Sequence, residues 1–205
     1  NLIERNKIFI NRCEGVGYIS KEDAVSLGVT GPNLRAAGIA NDLRIDEPYL
    51  KYSELDFNIP TLTESDVLAR YYVRIKEIYE TVKILRQCIQ KLPDGPINTP
   101  DAKQVLPDKG EVYSKMEELI HDFMIVNFGN APEKGVEAYQ AIEAAKGELG
   151  FYAISDGKGY PFRLKIRSPS FVNLGALPTM IKGAMISDIV AIIGSLDPVM
   201  GEADK

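Results

Sequence analysis

Residues 63–91, TESDVLARYYVRIKEIYETVKILRQCIQK, carry the clearest periodicity in this 205-residue chain. Val67, Tyr71, Ile75, Ile78, Val82, Leu85 and Ile89 recur at spacings of three and four, which predicts one apolar stripe on a helix. Thr63 reads as its cap, with Asp66 in the reciprocal position. Pro93 and Gly95 stop the helix near Lys91. At 1.5 Å per residue it is roughly 40 Å long. A helix of that length belongs in a bundle with other long helices. The rest of the chain offers few such neighbours, so the sequence reads as one part of a longer polypeptide.

Working outward, residues 1–10 fit the end of a helix. Ser20 and Asp23 form an N-terminal cap with an acidic first turn, and Gly28 closes that short helix. In residues 31–38, GPNLRAAG, Pro32 suits a first helical position and Gly38 a C′ position. Residues 41–62 read as an irregular connection and 93–110 as a loop. Met116, Leu119, Ile120 and Phe123 mark a second amphipathic helix ending near Gly129. From Tyr139 the period changes to two. Tyr139–Ala145, Leu149–Ser155 and Phe162–Ile166 read as strands joined by turns at Lys146-Gly147 and Asp156-Gly157. Ser168-Pro169-Ser170 ends the sheet. Pro178 opens a final helix, apolar nearly all round and expected to be buried, which Gly194 ends. The expected class is α+β, mainly α: long helices with a small antiparallel sheet near residues 137–168. The expected layout is a single fragment, with a helical part over 1–130 and the sheet, buried C-terminal helix and tail over 135–205.

A net charge of −5, a pI near 5.1 and the lack of any Lys/Arg block argue against nucleic-acid binding. Cys13 and Cys88 form no CxxC pair and point to a reducing compartment. His121 is the sole histidine, which excludes a multi-histidine metal site. It reads as a structural histidine at a helix boundary. Tyr71, Tyr72 and Tyr79 read as core. Residues 183–200 are the most apolar stretch, but Asp188, Gly194, Asp197 and Pro198 make them too polar for a transmembrane helix. There is no GxSxG, Walker or HExxH pattern. Gly15-Val16-Gly17 lacks the third glycine and preceding strand of a dinucleotide fingerprint.

Two constellations remain. Arg35 and Arg44 flank a compact turn with Asp42 between them. A local ion pair fixing the turn is one reading; a buried arginine network at an interface between subunits is the other. In the C-terminal run Asp197-Pro198-Val199-Met200-Gly201-Glu202-Ala203-Asp204-Lys205, the acids Asp197 and Glu202 converge only if the chain turns at Pro198 and Gly201. From the residues alone, a solvated acidic terminus is the preferred reading.

The tail resembles the end of nickel–iron hydrogenase large subunits, Asp-Pro-Cys-x-x-Cys, with Val199 and Glu202 at the two cysteine positions. Other stretches resemble one family in its own order: residues 31–39 with Asp42-Leu43-Arg44, then 141–148, Ser155-Asp156-Gly157, 167–171 and 188–197. That family is the D subunit (49 kDa type) of proton-translocating NADH–quinone oxidoreductase, respiratory complex I, a relative of the hydrogenase large subunit. The resemblance covers the family's C-terminal half. It implies a hydrogenase-large-subunit-like bundle that forms part of a quinone-reduction cavity beside an iron–sulfur (B-type) subunit, and a chain inactive alone. It implies that Asp197, Val199, Glu202 and Lys205 line or tune the cavity, Lys205 standing where arginine is usual. Arg35, Asp42 and Arg44 are the structural or interface candidates. No metal or cofactor is expected on this chain. Quinone is the substrate, and NADH, FMN and iron–sulfur clusters fall to partner subunits. The complex would sit peripherally on the cytoplasmic face of the membrane. The alternatives are a component of an F420H2 dehydrogenase or energy-converting hydrogenase-related complex, and a purely structural docking module.

Overall fold

The computed structural model describes residues 3–99, 105–129 and 131–204. The helices are α1 (Lys7–Cys13), α2 (Lys21–Ser26), α3 (Pro32–Ala36), α4 (Leu43–Asp46), α5 (Val67–Gln90), α6 (Lys109–Val112) and α7 (Met116–Phe128). A three-stranded antiparallel sheet follows in the order β1 (Glu137–Ala144), β2 (Gly147–Ser155) and β3 (Pro161–Arg167). The chain closes with α8 (Pro169–Gly175), α9 (Leu177–Met180), α10 (Ile189–Leu196) and α11 (Met200–Ala203). This is the expected mainly helical α+β class. It divides into two compact units: residues 1–91, 141–150 and 166–205, and residues 92–140 with 151–165. No helix among the described residues is long and apolar enough to cross a membrane.

In the first unit, several local signals act as the sequence predicts. Ser20 Oγ accepts the Asp23 N–H at 3.0 Å and starts α2. Pro32 opens α3, and Gly38, at φ 84°, follows its C-cap. The long helix starts differently. Its cap is Asp66, whose Oδ1 accepts the Ala69 N–H at 2.7 Å, rather than Thr63. The reason is the turn before it. Ser65 takes a left-handed backbone, donates its hydroxyl to Ile19 O at 2.7 Å, and leaves Asp66 Oδ2 to accept the Gly15 N–H at 2.7 Å. The buried face of α5 is also rotated from the predicted stripe. Val67, Ala69, Arg70, Val73 and Ile84 are buried, whereas Ile78, Val82, Leu85 and Ile89 are exposed. Tyr71 packs edge-on against Phe9 and Tyr72, but Tyr79 is exposed and is not core.

The rotation is set by Arg70, which is fully buried. Its Nε donates to Ser195 Oγ at 2.9 Å, Nη1 to Ser65 O at 3.2 Å and Nη2 to Gly17 O at 2.9 Å. Loss of water lowers its pKa to about 10, with Arg74 adding to the effect, so it stays cationic at neutral pH. The apolar core of this unit includes Cys13, Ile19, Val29, Leu34, Val67, Met180, Ile192 and Leu196.

The predicted single C-terminal helix is divided between α9 and α10, and a further helix, α8, precedes it. Ser168 caps α8, which the sequence reading missed. Pro178 lies in the short α9, Gly183 at φ 78° breaks the chain, and α10 starts only at Ile189. Gly194 lies inside α10, whose end is Asp197 in the left-handed region. Only Ile192 and Leu196 of α10 are buried; Val190 is 77% exposed. The expected all-round burial therefore holds on one side. The turn between β1 and β2 presses on the start of α3: a Cβ on Gly31, at φ 69°, would stand 2.5 Å from Gly147 Cα. Asn173 secures the same place, accepting the Thr30 N–H at 3.0 Å and donating to Lys146 O at 3.2 Å.

In the second unit, α7 buries no residue, and Phe123 meets Phe128 edge-on. His121 sits in mid-helix, not at a boundary, 3.9 Å from Glu118. Its Nε2 is buried without a hydrogen-bond partner among the described residues.

Gly31→Ala combines a left-handed backbone with a backbone clash and is expected to cost more than about 3 kcal/mol. Gly15→Ala shares the positive φ but meets nothing within 4 Å, and is expected to cost about 1 kcal/mol. Arg70→Met strands the Gly17 and Ser65 carbonyls and is expected to cost about 3 kcal/mol. Denaturant midpoints of each variant against the parent measure all three.

Candidate functional site

Asp42 is fully buried and caps α4, its Oδ1 accepting the Arg44 N–H at 3.0 Å. Arg44 grips the same carboxylate with Nε at 2.9 Å and Nη2 at 2.6 Å, and its guanidinium lies 5.1 Å from the Phe57 ring centre. Burial opposes the Arg44 charge, but the bond to Asp42 more than restores it and raises its pKa. This much is the local ion pair. Arg35 goes further. Its Nε donates to Glu77 of α5 at 2.6 Å, and Nη1 to Glu143 of β1 and to Asn41 O, both at 2.9 Å. Asp42 stands 3.7 Å away. The local reading is thus too small: the arginines belong to a buried network joining α3, α4, α5 and β1. Burial pushes the Glu143 carboxyl up, against the pull of Arg35. The two glutamates escaped the sequence reading because each lies on an element where an acidic residue ordinarily faces solvent.

The tail is fastened at Asp197 and again at Val199 and Glu202. Asp197 stops α10 with φ 54°, and its carboxylate pairs with Lys146 in the β1–β2 turn. The carboxylate is 46% exposed, and its Oδ2 lies 3.9 Å from Arg74 Nε. Farther on, the buried Ser170 accepts the Val199 N–H at 3.1 Å and donates to Glu202 Oε2 at 2.5 Å. Asp197 and Glu202 therefore do not converge; each has its own partner. Val199 is exposed and precedes α11. Lys205 lies outside the described residues. Lys146, Arg74 and Ser170 were not foreseen. Lys146 precedes a predicted turn glycine and Ser170 lies in a predicted strand stop, signals that specify a reversal or an end of the chain and no distant partner.

Two clefts flank Asp197. A polar one of about 290 Å³ is lined by Arg35, Arg44, Glu77, Glu143 and Lys146, with Arg74 and Asp197. An apolar one of about 410 Å³ is lined by Phe9, Cys13, Val67, Tyr71 and Ala191, again with Arg74 and Asp197 at its edge. Burial, reinforced by Asp66, raises the Cys13 thiol, which favours an inert wall over a nucleophile. Desolvation lowers the Arg74 pKa, with Asp197 and Glu77 opposing it. An apolar cleft with a compensated carboxylate at one edge suits a mostly apolar molecule with few polar groups. Among the described residues, no group of three or more His, Cys, Asp or Glu is placed to hold a metal ion. Val199 and Glu202 offer no thiolate, so the donor set does not fit nickel.

The family model described as the 49 kDa subunit of respiratory-chain NADH dehydrogenase matches residues 1–205. A D-type subunit of NADH-quinone oxidoreductase from Chloroherpeton thalassium is 60% identical over 204 residues, covering 100% of this chain and 46% of that protein. Its counterpart from Salinibacter ruber is 53% identical over 204 residues, covering 100% of this chain and 45% of that protein. A third, from Opitutus terrae, is 52% identical over 206 residues, covering 100% and 48%. The chain spans about half the length of the curated relatives it matches.

Removing Arg35 takes the direct cationic partner from both Glu77 and Glu143. Arg35→Met is expected to cost about 3–5 kcal/mol, and adding Glu143→Gln to recover part of it. Urea unfolding of the single and double variants checks the recovery.

Proposed function

The chain belongs to the family of the 49 kDa subunit of respiratory-chain NADH dehydrogenase, and from that premise we propose that it forms part of the quinone-reduction cavity of a proton-translocating NADH–quinone oxidoreductase. The observation that supports this most is the anchored tail. Asp197 is tied to Lys146, and Val199 and Glu202 to Ser170; by the resemblance of the tail to hydrogenase large subunits, Val199 and Glu202 stand at the two cysteine positions. The apolar cleft beside Asp197 offers Phe9, Val67 and Tyr71 as walls for a quinone ring.

Quinone becomes quinol by gaining two electrons and two protons. The electrons reach the cavity from an iron–sulfur (B-type) subunit, while NADH, FMN and the clusters are held by partner subunits. The role of this chain is to exclude water and to set the charge at the cavity edge. The Asp197 carboxylate lies between two cations, which favours tuning of the local potential over a free proton carrier. The chain reaches the membrane through the other subunits, at the cytoplasmic face.

Glu202→Gln keeps the shape but weakens the charge-assisted bond from Ser170. In the assembled complex it is expected to lower quinone reductase turnover or inhibitor affinity about tenfold, roughly 1.4 kcal/mol. Parent values for both would remove Glu202 from the cavity.

A further inference from the structure

The polar and apolar clefts share two lining residues, Arg74 and Asp197. Arg74 is fixed at its far end: Nη1 donates to Arg70 O at 3.2 Å, and Nη2 to Asn33 Oδ1 at 3.2 Å and Leu196 O at 3.4 Å. Its Nε is buried and, among the described residues, has no hydrogen-bond partner. The Asp197 carboxylate lies 3.9 Å from that atom, engaged from the other cleft by Lys146. A buried N–H without an acceptor is costly, so the carboxylate is drawn toward Arg74 as well. Its backbone is already strained, at φ 54° on a non-glycine residue. A shift of about 1 Å would complete an Nε–H···O bond.

We propose that Arg74 is a positioning residue for Asp197. Its guanidinium edge sets how far the carboxylate stands on the apolar side of the partition, against the pull of Lys146 on the polar side. The consequence for turnover rests on the reading of the apolar cleft as part of the quinone cavity; the pairing itself does not. Arg74 touches no substrate in this scheme. It fixes where negative charge sits at the cleft edge, so its loss acts on turnover more than on quinone affinity.

The test is a kinetic cycle in the assembled complex with a short-chain quinone. Arg74→Met is expected to lower kcat about tenfold while KM changes by less than about threefold, and Arg74→Lys to regain a substantial part. Combined with Asp197→Asn, it should fall no more than about twofold below the worse single variant. Where Asp197→Asn itself lowers kcat, a double loss equal to the product of the single losses, or an unchanged kcat in Arg74→Met, would overturn the proposal. If Asp197→Asn alone keeps parent kinetics, the cavity reading fails. The pairing is then read by hydrogen exchange of the Leu196, Asp197 and Val199 amides in the same complex. Exchange about tenfold faster in both Arg74→Met and Asp197→Asn supports it; parent rates in either variant sink it.

Discussion

The buried guanidinium of Arg70 is the constraint around which the first unit is arranged. Among the described residues no carboxylate forms an ion pair with this desolvated cation, and oxygen acceptors hold it instead: Ser195 Oγ and the carbonyls of Ser65 and Gly17. Those acceptors come from α10, the turn before α5 and the loop after α1. Three separate segments must therefore reach one point before the charge is solvated. Asp66 reinforces the same junction, capping α5 with one oxygen and holding the Gly15 N–H with the other. The direction in which α10 enters, and hence the point from which the tail departs, follows from satisfying Arg70.

Local signals were legible because local physics decides them. Ser20 caps α2, Pro32 opens α3, and the first hairpin turns at Ala145-Lys146, one residue before the expected pair, since each needs only backbone geometry and one nearby side chain. Thr63 failed as a cap because the decision lies elsewhere: Ser65 is bound to Ile19, across the chain. The α5 stripe failed for a related reason. Periodicity identifies an apolar face but not what covers it. Within this unit the covered face is chosen by Arg70 and Val73, leaving Ile78, Val82, Leu85 and Ile89 outside. The broken C-terminal helix shows the limit of composition. Residues 177–196 are apolar enough for one helix, yet Gly183 at φ 78° divides them.

The candidate site was legible in its residue types and illegible in its pairings. Arg35, Asp42 and Arg44 could be picked out because arginines around a tight turn need an acceptor. The distant acceptors could not, because Glu77 and Glu143 sit 42 and 108 residues from Arg35. Likewise, the spacing of Asp197 and Glu202 says only that they converge if the chain turns, and names no partner for either. They are held instead by Lys146 and Ser170, from two different parts of the fold.

A charged tail that leaves a helix end must be fastened by protein groups if its carboxylates are to keep fixed positions, and charge and hydrogen bonds do this here. Ser170 serves both ends of one link, accepting from the Val199 backbone while donating to Glu202, so a single buried hydroxyl fixes two tail residues. Lys146 fixes the root through Asp197, and Asn173 holds the Lys146 carbonyl. The β1–β2 turn thus does more than reverse the chain. Pressed against Gly31 and bound by Asn173, it is a rigid mount from which a lysine addresses the tail. That explains why two glycines in contact, Gly31 and Gly147, belong to the same physical argument as the acidic tail.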